Sequence, residues 1–495
     1  MSIINDYSNR QLVPRLLSFE TSNILSLNTN TTNNTLLKIN RFELDNYYKL
    51  KNEWKNEKNK ILAIEILMYK IIHESLTINT EQITFLKEQK NHLNLIEKEI
   101  LDIATCKLTN NEKTLEPSYE DTDIRNMIKK IRMSTNINLK NPIQWCNLGY
   151  CYTKLGLKDK AKRAFLISIG LNNSNRHIVR TVARFFLHLG EVDFGHRILT
   201  MSPRIVSDPN IISAEIAFSE LIGKKSKFID NGIRLKDNKN LSIFEKNELL
   251  AQIATLEFSH GKNSKGKLLI NECLLDPNEN SLAQIAFLEK KHVIEPIIEA
   301  KTSVSFQYEA LARHHFNNDN FIDAYKYARS WYNFQPFSSY PAALSSYIAI
   351  ELLEKYHEAI EITETALKIS PNNIILKNNL AFAYAKSNKI EEAVNIVNKI
   401  NRNGISEHDQ AVLNATTGFI AYKLGDIEKA KIGYIEAIKY FRLKKEDESL
   451  ARALFNYSSI LDKDESNIIL KEVLELSKKN TINELIYLLR KKNIE

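Results

Sequence analysis

The string Gly261-Lys-Asn-Ser-Lys-Gly266-Lys267 has the spacing of a phosphate-binding loop, in which backbone amides cradle phosphates and the lysine reaches the outer ones. The next residue is Leu268, which offers no hydroxyl to hold Mg²⁺, and Leu249 to Phe258 read as helix where such a loop follows a strand. Nucleotide chemistry is not expected from it. Cys146 and Cys151 fall on different faces of a helix, and no Cys-x-x-Cys or matching His motif accompanies them, so zinc is not expected. His314 and His315 are adjacent, diverge by about 100° on a helix and cannot share one ion. His188 and His196 lie on successive helices and read as packing residues. No Ser/His/Asp or paired-carboxylate set stands out, so neither catalytic residues nor a cofactor nor a metal is expected, and the chain reads as noncatalytic.

One charged pattern suggests a binding role. His177, Arg180, Arg184 and His188 are spaced three, four and four apart, which is a single stripe of an α-helix. Such a stripe raises the local potential, and arginine clamps carboxylate or phosphate through paired hydrogen bonds. The plainer alternative is a solvated charged face. The stripe lies where the charge of the chain lies. Lys plus Arg number 68 and Asp plus Glu 60, and residues 141–240 hold 16 basic against 8 acidic side chains, so the rest of the chain balances. If the protein has an acidic partner, it docks there.

The elements that must position these side chains are helices. Thirteen glycines and ten prolines in 495 residues are too few for turn-dense sandwiches, barrels or disordered linkers. No stretch approaches ~18 uninterrupted apolar residues, so no membrane segment is expected. Residues 1–40 lack a basic tip followed by an apolar run, and four cysteines read as reduced thiols, which together suggest the cytoplasm.

Internal repetition organises the chain. Residues 142–175 place Trp145, Leu148, Gly149 and Tyr152 at helical spacing, break at Gly156, and continue with Ala161, Phe165 and Ser168. This is a helix, a turn and a second helix. Gly149 and Ala161 are small where the two cross, and Trp145, Leu148, Tyr152 and Phe165 are expected to fill the space beside the crossing. The small residue of the second helix recurs as Ala161, Gly195, Ala324, Ala359, Ala393 and Ala430, with weaker anchors at Ile229 and Gly266. Gly190, Ala312, Pro336, Pro371, Gly418 and Gly425 recur in register with them.

The segment resembles a tetratricopeptide repeat, good over roughly 142–202 and 305–441 and plausible over 210–280. The resemblance implies an all-α fold, a right-handed α-solenoid of helical hairpins. Beside it, long helical patterns over 41–108 predict an N-terminal helical bundle. The expected order is an irregular arm at 1–40, the bundle at 41–108, a linker and short helix at 109–140, and a first array at 141–303. That array degenerates after 240 and ends in an irregular helix pair near Ser281 to Ala300 broken at Pro296. A second array at 304–445 and capping helices at 446–495 complete it.

In the tetratricopeptide family the face of each first helix that points away from its packing partner lines a concave groove. The resemblance places the basic stripe there in the second repeat, and Leu344, Ile348, Leu352, Phe382, Phe419 and Tyr422 there in the later ones. An apolar line of this kind fits a partner peptide or amphipathic helix, or a segment of the chain itself. The family's clamp for C-terminal carboxylates is incomplete, because Asn378 or Asn379 matches one member while Val412 and Ala415 stand where cations are needed. The expected function is a protein-binding scaffold or adaptor whose groove holds a partner peptide or helix, with an acidic segment at the stripe. The alternative is a nucleic-acid-binding or regulatory subunit of a multiprotein complex. Enrichment in Asn, Ile and Lys matches an AT-rich coding sequence and suggests a bacterial defence or signalling setting.

Overall fold

The computed structural model describes residue 12 and residues 44–72, 80–89, 93, 101, 104–105, 121–137, 140–290, 304 and 307–494. Every extended element among them is a helix, and none is long and apolar enough to cross a membrane. The chain divides into two compact units, residues 23–118 and residues 1–22 with 119–495. The arm apart from Leu12, most of the linker, and the part of the irregular pair beyond Lys290, with its break at Pro296, lie outside the described residues.

The smaller unit contains Leu44–Asn56, Lys60–Ile72 and Thr80–Glu88. Trp54, Ile66, Leu67, Ile83 and Leu86 form its core, and Trp54 meets Phe85 edge-on at 5.1 Å. Lys70 is buried with its Nζ donating to Gln82 Oε1 at 3.1 Å, and burial, then Lys51, lowers its ammonium to about 8.

In the larger unit Asp121–Ile137 leads into a succession of hairpins. The first four are Pro142–Lys154 with Lys158–Leu171, Arg176–His188 with Val192–Thr200, Pro209–Leu221 with Ile229–Lys236, and Ile243–Ser259 with Asn263–Cys273. Glu279–Lys290 follows. The later hairpins are Tyr308–Asn317 with Phe321–Phe334, Ser339–Tyr347 with Tyr356–Ile369, and Ile374–Lys386 with Ile390–Asn398. After them come Glu407–Lys423 with Ile427–Lys444 and Asp447–Ser458 with Lys463–Lys479, then a last single helix, Asn483–Lys491. A π turn, Ile348–Leu352, extends Ser339–Tyr347.

Local chemistry sets the helix ends. Six of the first helices start at residues whose side chains accept from the free amides of the opening turn: Asn141, Asn175, Asp208, Asn373 and Ser406, with Ser242 and Glu245 forming a reciprocal capping box. They stop at a left-handed residue, such as Gly156 (φ 69°), Gly190 (φ 78°) or Asn388 (φ 63°). The residue after it donates back to the last turn, as Leu157 does to the Tyr152 carbonyl, Glu191 to Phe186 and Lys389 to Tyr384, each at 2.9 Å. That bond reverses the chain at the same point of each hairpin.

The crossings are as tight as the small residues imply. A Cβ on Gly149 would stand 2.8 Å from the Phe165 ring, and one on Gly433 2.6 Å from the Asn414 carbonyl. Ala312, Ala324, Ala359, Ala393 and Ala430 have no exposed surface. Gly266 lies against Phe258 and Gly261 (φ 74°) makes the turn, so the loop-like string serves the hairpin. Trp145 differs from expectation: it is half-buried at the rim of the core, whose centre is Phe165 with Phe185 at 4.6 Å. The superhelix then returns on itself. Phe337, between two later hairpins, meets Tyr150 at 5.7 Å and His188 at 5.4 Å, and Gly156 lies against the Lys368 carbonyl.

Phe165→Ala should therefore cost about 3–5 kcal/mol and Trp145→Ala clearly less, because the cavity left at the rim is open to water. Gly433→Ala should cost roughly 1–3 kcal/mol, since the methyl meets backbone that has no rotamer to escape into. Urea unfolding followed by circular dichroism measures all three, and equal losses for Phe165→Ala and Trp145→Ala would contradict this packing.

Candidate functional site

The Arg176–His188 helix buries Ile178, Val182, Phe185 and Phe186 and sends His177, Arg180, Arg184 and His188 to its other side. Arg180 does not stand in open solvent. Its Nη2 donates to Glu248 Oε2 at 2.6 Å, and Glu248 also accepts from Asn278 Nδ2 at 3.0 Å and Asn280 Nδ2 at 3.2 Å. The Glu248 side chain is 4% exposed, so this is a charge pair shielded from water. Arg184 is buried, and the His188 ring rests on Phe337.

Burial, and then the Arg180 guanidinium, lowers the His177 imidazole to about 4; burial and Arg184 hold His188 well below the ordinary range. At neutral pH the two histidines are uncharged. The stripe thus carries two guanidiniums, and that of Arg180 is held by a buried carboxylate. Its neighbours are matched as well. Asp208 caps Pro209–Leu221 and takes Arg176 at 2.7 Å and Arg204 at 3.5 Å; burial alone would raise its carboxyl, but the guanidiniums hold it below the usual range. His196 meets Glu215 and Ser219 through the same Nε2, a packing network between neighbouring helices.

The apolar line of the later repeats lies at the C-terminal ends of successive first helices. Leu344, Ile348, Leu352, Phe382 and Phe419 are buried and Tyr422 is half-buried, in one cluster with Leu485 and Leu489 of the last helix. Phe382 and Phe419 are 5.1 Å apart, with Lys386 Nζ over both rings at 5.1 and 5.0 Å. The last helix reaches back to the first two of the later hairpins. Asn483 Nδ2 donates to the Asn317 carbonyl at 3.4 Å, Tyr487 meets Phe321 at 4.9 Å, and Lys491 Nζ donates to the Leu352 carbonyl at 3.3 Å. Lys492 sits 4.5 Å from the Phe455 ring, its ammonium lowered by burial and then by Lys386.

Sequence reasoning did not single out the centre of this arrangement. Arg452 Nη2 donates to Glu484 Oε1 with side chains only 4% and 7% exposed, and Arg452 is also 3.6 Å from Glu448. Asn456 Nδ2 donates to Glu351 at 3.4 Å. The available signal was a charge on an apolar face: Arg452 among Leu450, Ala451, Ala453 and Leu454, and Glu484 beside Leu485. Asn379, one member of the incomplete clamp, is committed to the Ala343 carbonyl and Ser346. Cys146, Cys151 and Cys273 are buried, and no group of three or more metal-ligating side chains occurs among the described residues.

The fold and these concave residues define a right-handed α-solenoid of helical hairpins preceded by a helical bundle. Within that class the sequence is specific: residues 145–175 and 353–404 match models described as tetratricopeptide repeat, so the chain carries tetratricopeptide repeats and is a protein-interaction scaffold in the general sense. No curated protein matches it in sequence. Among solved structures it is similar to the APC/C hetero-tetramer Cut9–Hcn1, at TM-score 0.40 and 13% identity over 97% of this chain and 94% of that one. The human IFIT1 dimer with PPP-AAAA gives 0.31 and 13% over 73% and 94%. Yeast Tom70 gives 0.28 and 13% over 75% and 92%.

The buried neutral histidines make stability depend on acid. The unfolded chain binds protons on His177 and His188 near pH 6.5, while the folded chain takes one up on His177 only near 4 and holds His188 well below its ordinary range. Stability complete above pH 6.5 is therefore lost as the pH falls toward 4. The His177 part amounts to about 2 kcal/mol at pH 4.5. Urea unfolding of the parent and of a His177→Gln, His188→Gln variant at pH 7.5 and 4.5 checks this, with the smaller loss expected in the variant.

Proposed function

We propose that the chain is a noncatalytic scaffold that holds a helical or extended segment of a partner protein in the concave mouth of its second array. The observation that supports this reading is that a helix of the chain itself, Asn483–Lys491, shares one apolar cluster with the residues of the mouth's wall. That helix sets a carboxylate on Arg452, an ammonium on the Leu352 carbonyl and the Tyr487 ring on Phe321. Leu344, Ile348, Leu352, Phe382, Phe419 and Tyr422 form the wall, and Lys386 and Lys423 edge it. A surface shaped this way recognises an amphipathic helix by its anchors on one face.

The first array contributes the acidic preference. A carboxylate of the partner would exchange with Glu248 at Arg180, while the uncharged His177 and His188 supply hydrogen bonds instead of charge. Binding of phosphates along the same stripe is the weaker reading, because nucleic acid draws on several unmatched cations and Arg180 is matched. Buried thiols fit a reducing compartment, and the cytoplasm is the proposed location.

A photo-crosslinking phenylalanine analogue at Tyr422, compared with one at the exposed Ile432 of the outer helix, tests the reading in cells of the source organism. Protein adducts are expected at Tyr422 and few at Ile432; equal yields from both positions would sink it.

A further inference from the structure

The last helix is more than an end cap. A cap needs only to cover the hairpin before it, yet Asn483–Lys491 is tied to carbonyls 166 and 139 residues earlier in the chain, those of Asn317 and Leu352. The Leu352 carbonyl lies at the end of the π turn Ile348–Leu352, where the helical ladder loosens: Lys355 donates to Ala349 and Leu353 to Ile348. The helix has a polarity that matches its seat. Glu484 in its first turn faces Arg452, Leu485 and Leu489 enter the apolar cluster, and Lys491 in its last turn meets the carbonyl at the end of the π turn.

Three features make this occupant removable. It has nine residues, a length that is marginal for a helix without tertiary support. Its hinge is Thr481 at φ 53°, a left-handed conformation that a β-branched residue resists, so undocking relieves strain. Its central attachment is a buried ion pair, and a competing carboxylate on Arg452 would spare the guanidinium from standing buried and unmatched during the exchange.

We propose that Asn483–Lys491 is a built-in occupant of the concave mouth, hinged at Thr481, which a partner's amphipathic helix displaces. The displacing helix has the same chemistry: an acidic residue in the first turn, leucines four apart, and a basic residue in the last turn. This rests on the reading of the mouth as the partner-binding surface.

Hydrogen exchange of the full chain, read by mass spectrometry, tests it with the parent, Glu484→Gln and Thr481→Asn. Asparagine accepts the left-handed conformation, so Thr481→Asn should hold the helix down. In the parent, residues 483–491 are expected to exchange on the order of 100-fold faster than Ile427–Lys444, through local opening. Glu484→Gln should speed 483–491 by about tenfold and leave Ile427–Lys444 unchanged, and Thr481→Asn should slow it. A fluorescent peptide of residues 481–495 should bind Glu484→Gln more tightly than the parent and Thr481→Asn most weakly. Exchange of 483–491 only together with Ile427–Lys444, or a peptide that binds all three chains alike or none, would overturn the proposal. In that event, adducts at Tyr422 would leave the scaffold reading standing without a gate. An opening helix with no adduct at Tyr422 would remove the scaffold reading instead.

Discussion

Two helices cross with their backbones nearly touching only where neither carries a side chain larger than a methyl at the crossing. Here that contact is literal at Gly433 and Gly418, where a Cβ on either would stand 2.6 or 2.9 Å from the carbonyl of the helix it crosses. At Gly149 and Gly195 the space is taken by the rings of Phe165 and Phe218. Because the small residue and the left-handed turn residue recur at a fixed offset, each hairpin leaves its neighbour with nearly the same rotation, and the rotations sum to a superhelix. The groove is a consequence of that sum, and so is the meeting of Phe337 with Tyr150 and His188 after the superhelix has turned.

A narrow superhelix places charged side chains of distant repeats face to face in a space with little water. An unmatched guanidinium is expensive there, and Arg176 lies on Asp208, Arg180 on Glu248 and Arg452 on Glu484. The same dryness keeps His177 and His188 neutral. The interior is thus polar in composition and nearly compensated in charge, so specificity comes from which pair a ligand can replace. At Arg452 the native partner belongs to the end of the chain, which makes the pair both a structural attachment and a point of competition.

Much of the hairpin architecture was legible before any coordinates. Ala161, Gly195, Gly266, Ala324, Ala359, Ala393 and Ala430 all mark crossings, and Gly156, Gly190 and Gly425 all mark turns. The reading failed at Trp145, whose size suggested the core while its position on the first turn of the first helix leaves it at the rim. Between Gly195 and Gly266 the anchor inferred at Ile229 is half-buried, and the small buried residue is Gly232. A period read from side-chain size is blind to such slips, because one turn of helix separates the two positions.

What the sequence by itself determined is local: helix starts at Asn, Asp and Ser, stops at Gly, small residues at crossings, and two apolar faces per hairpin. These follow from interactions within about one repeat, and the order of residues encodes them directly. Only the tertiary structure decided what occupies the concave side. Arg180 with Glu248, Phe337 with His188, and Asn483–Lys491 with Asn317 and Leu352 join residues separated by whole repeats. Their proximity depends on the accumulated rotation of every hairpin between them, a quantity that no local pattern of residues records.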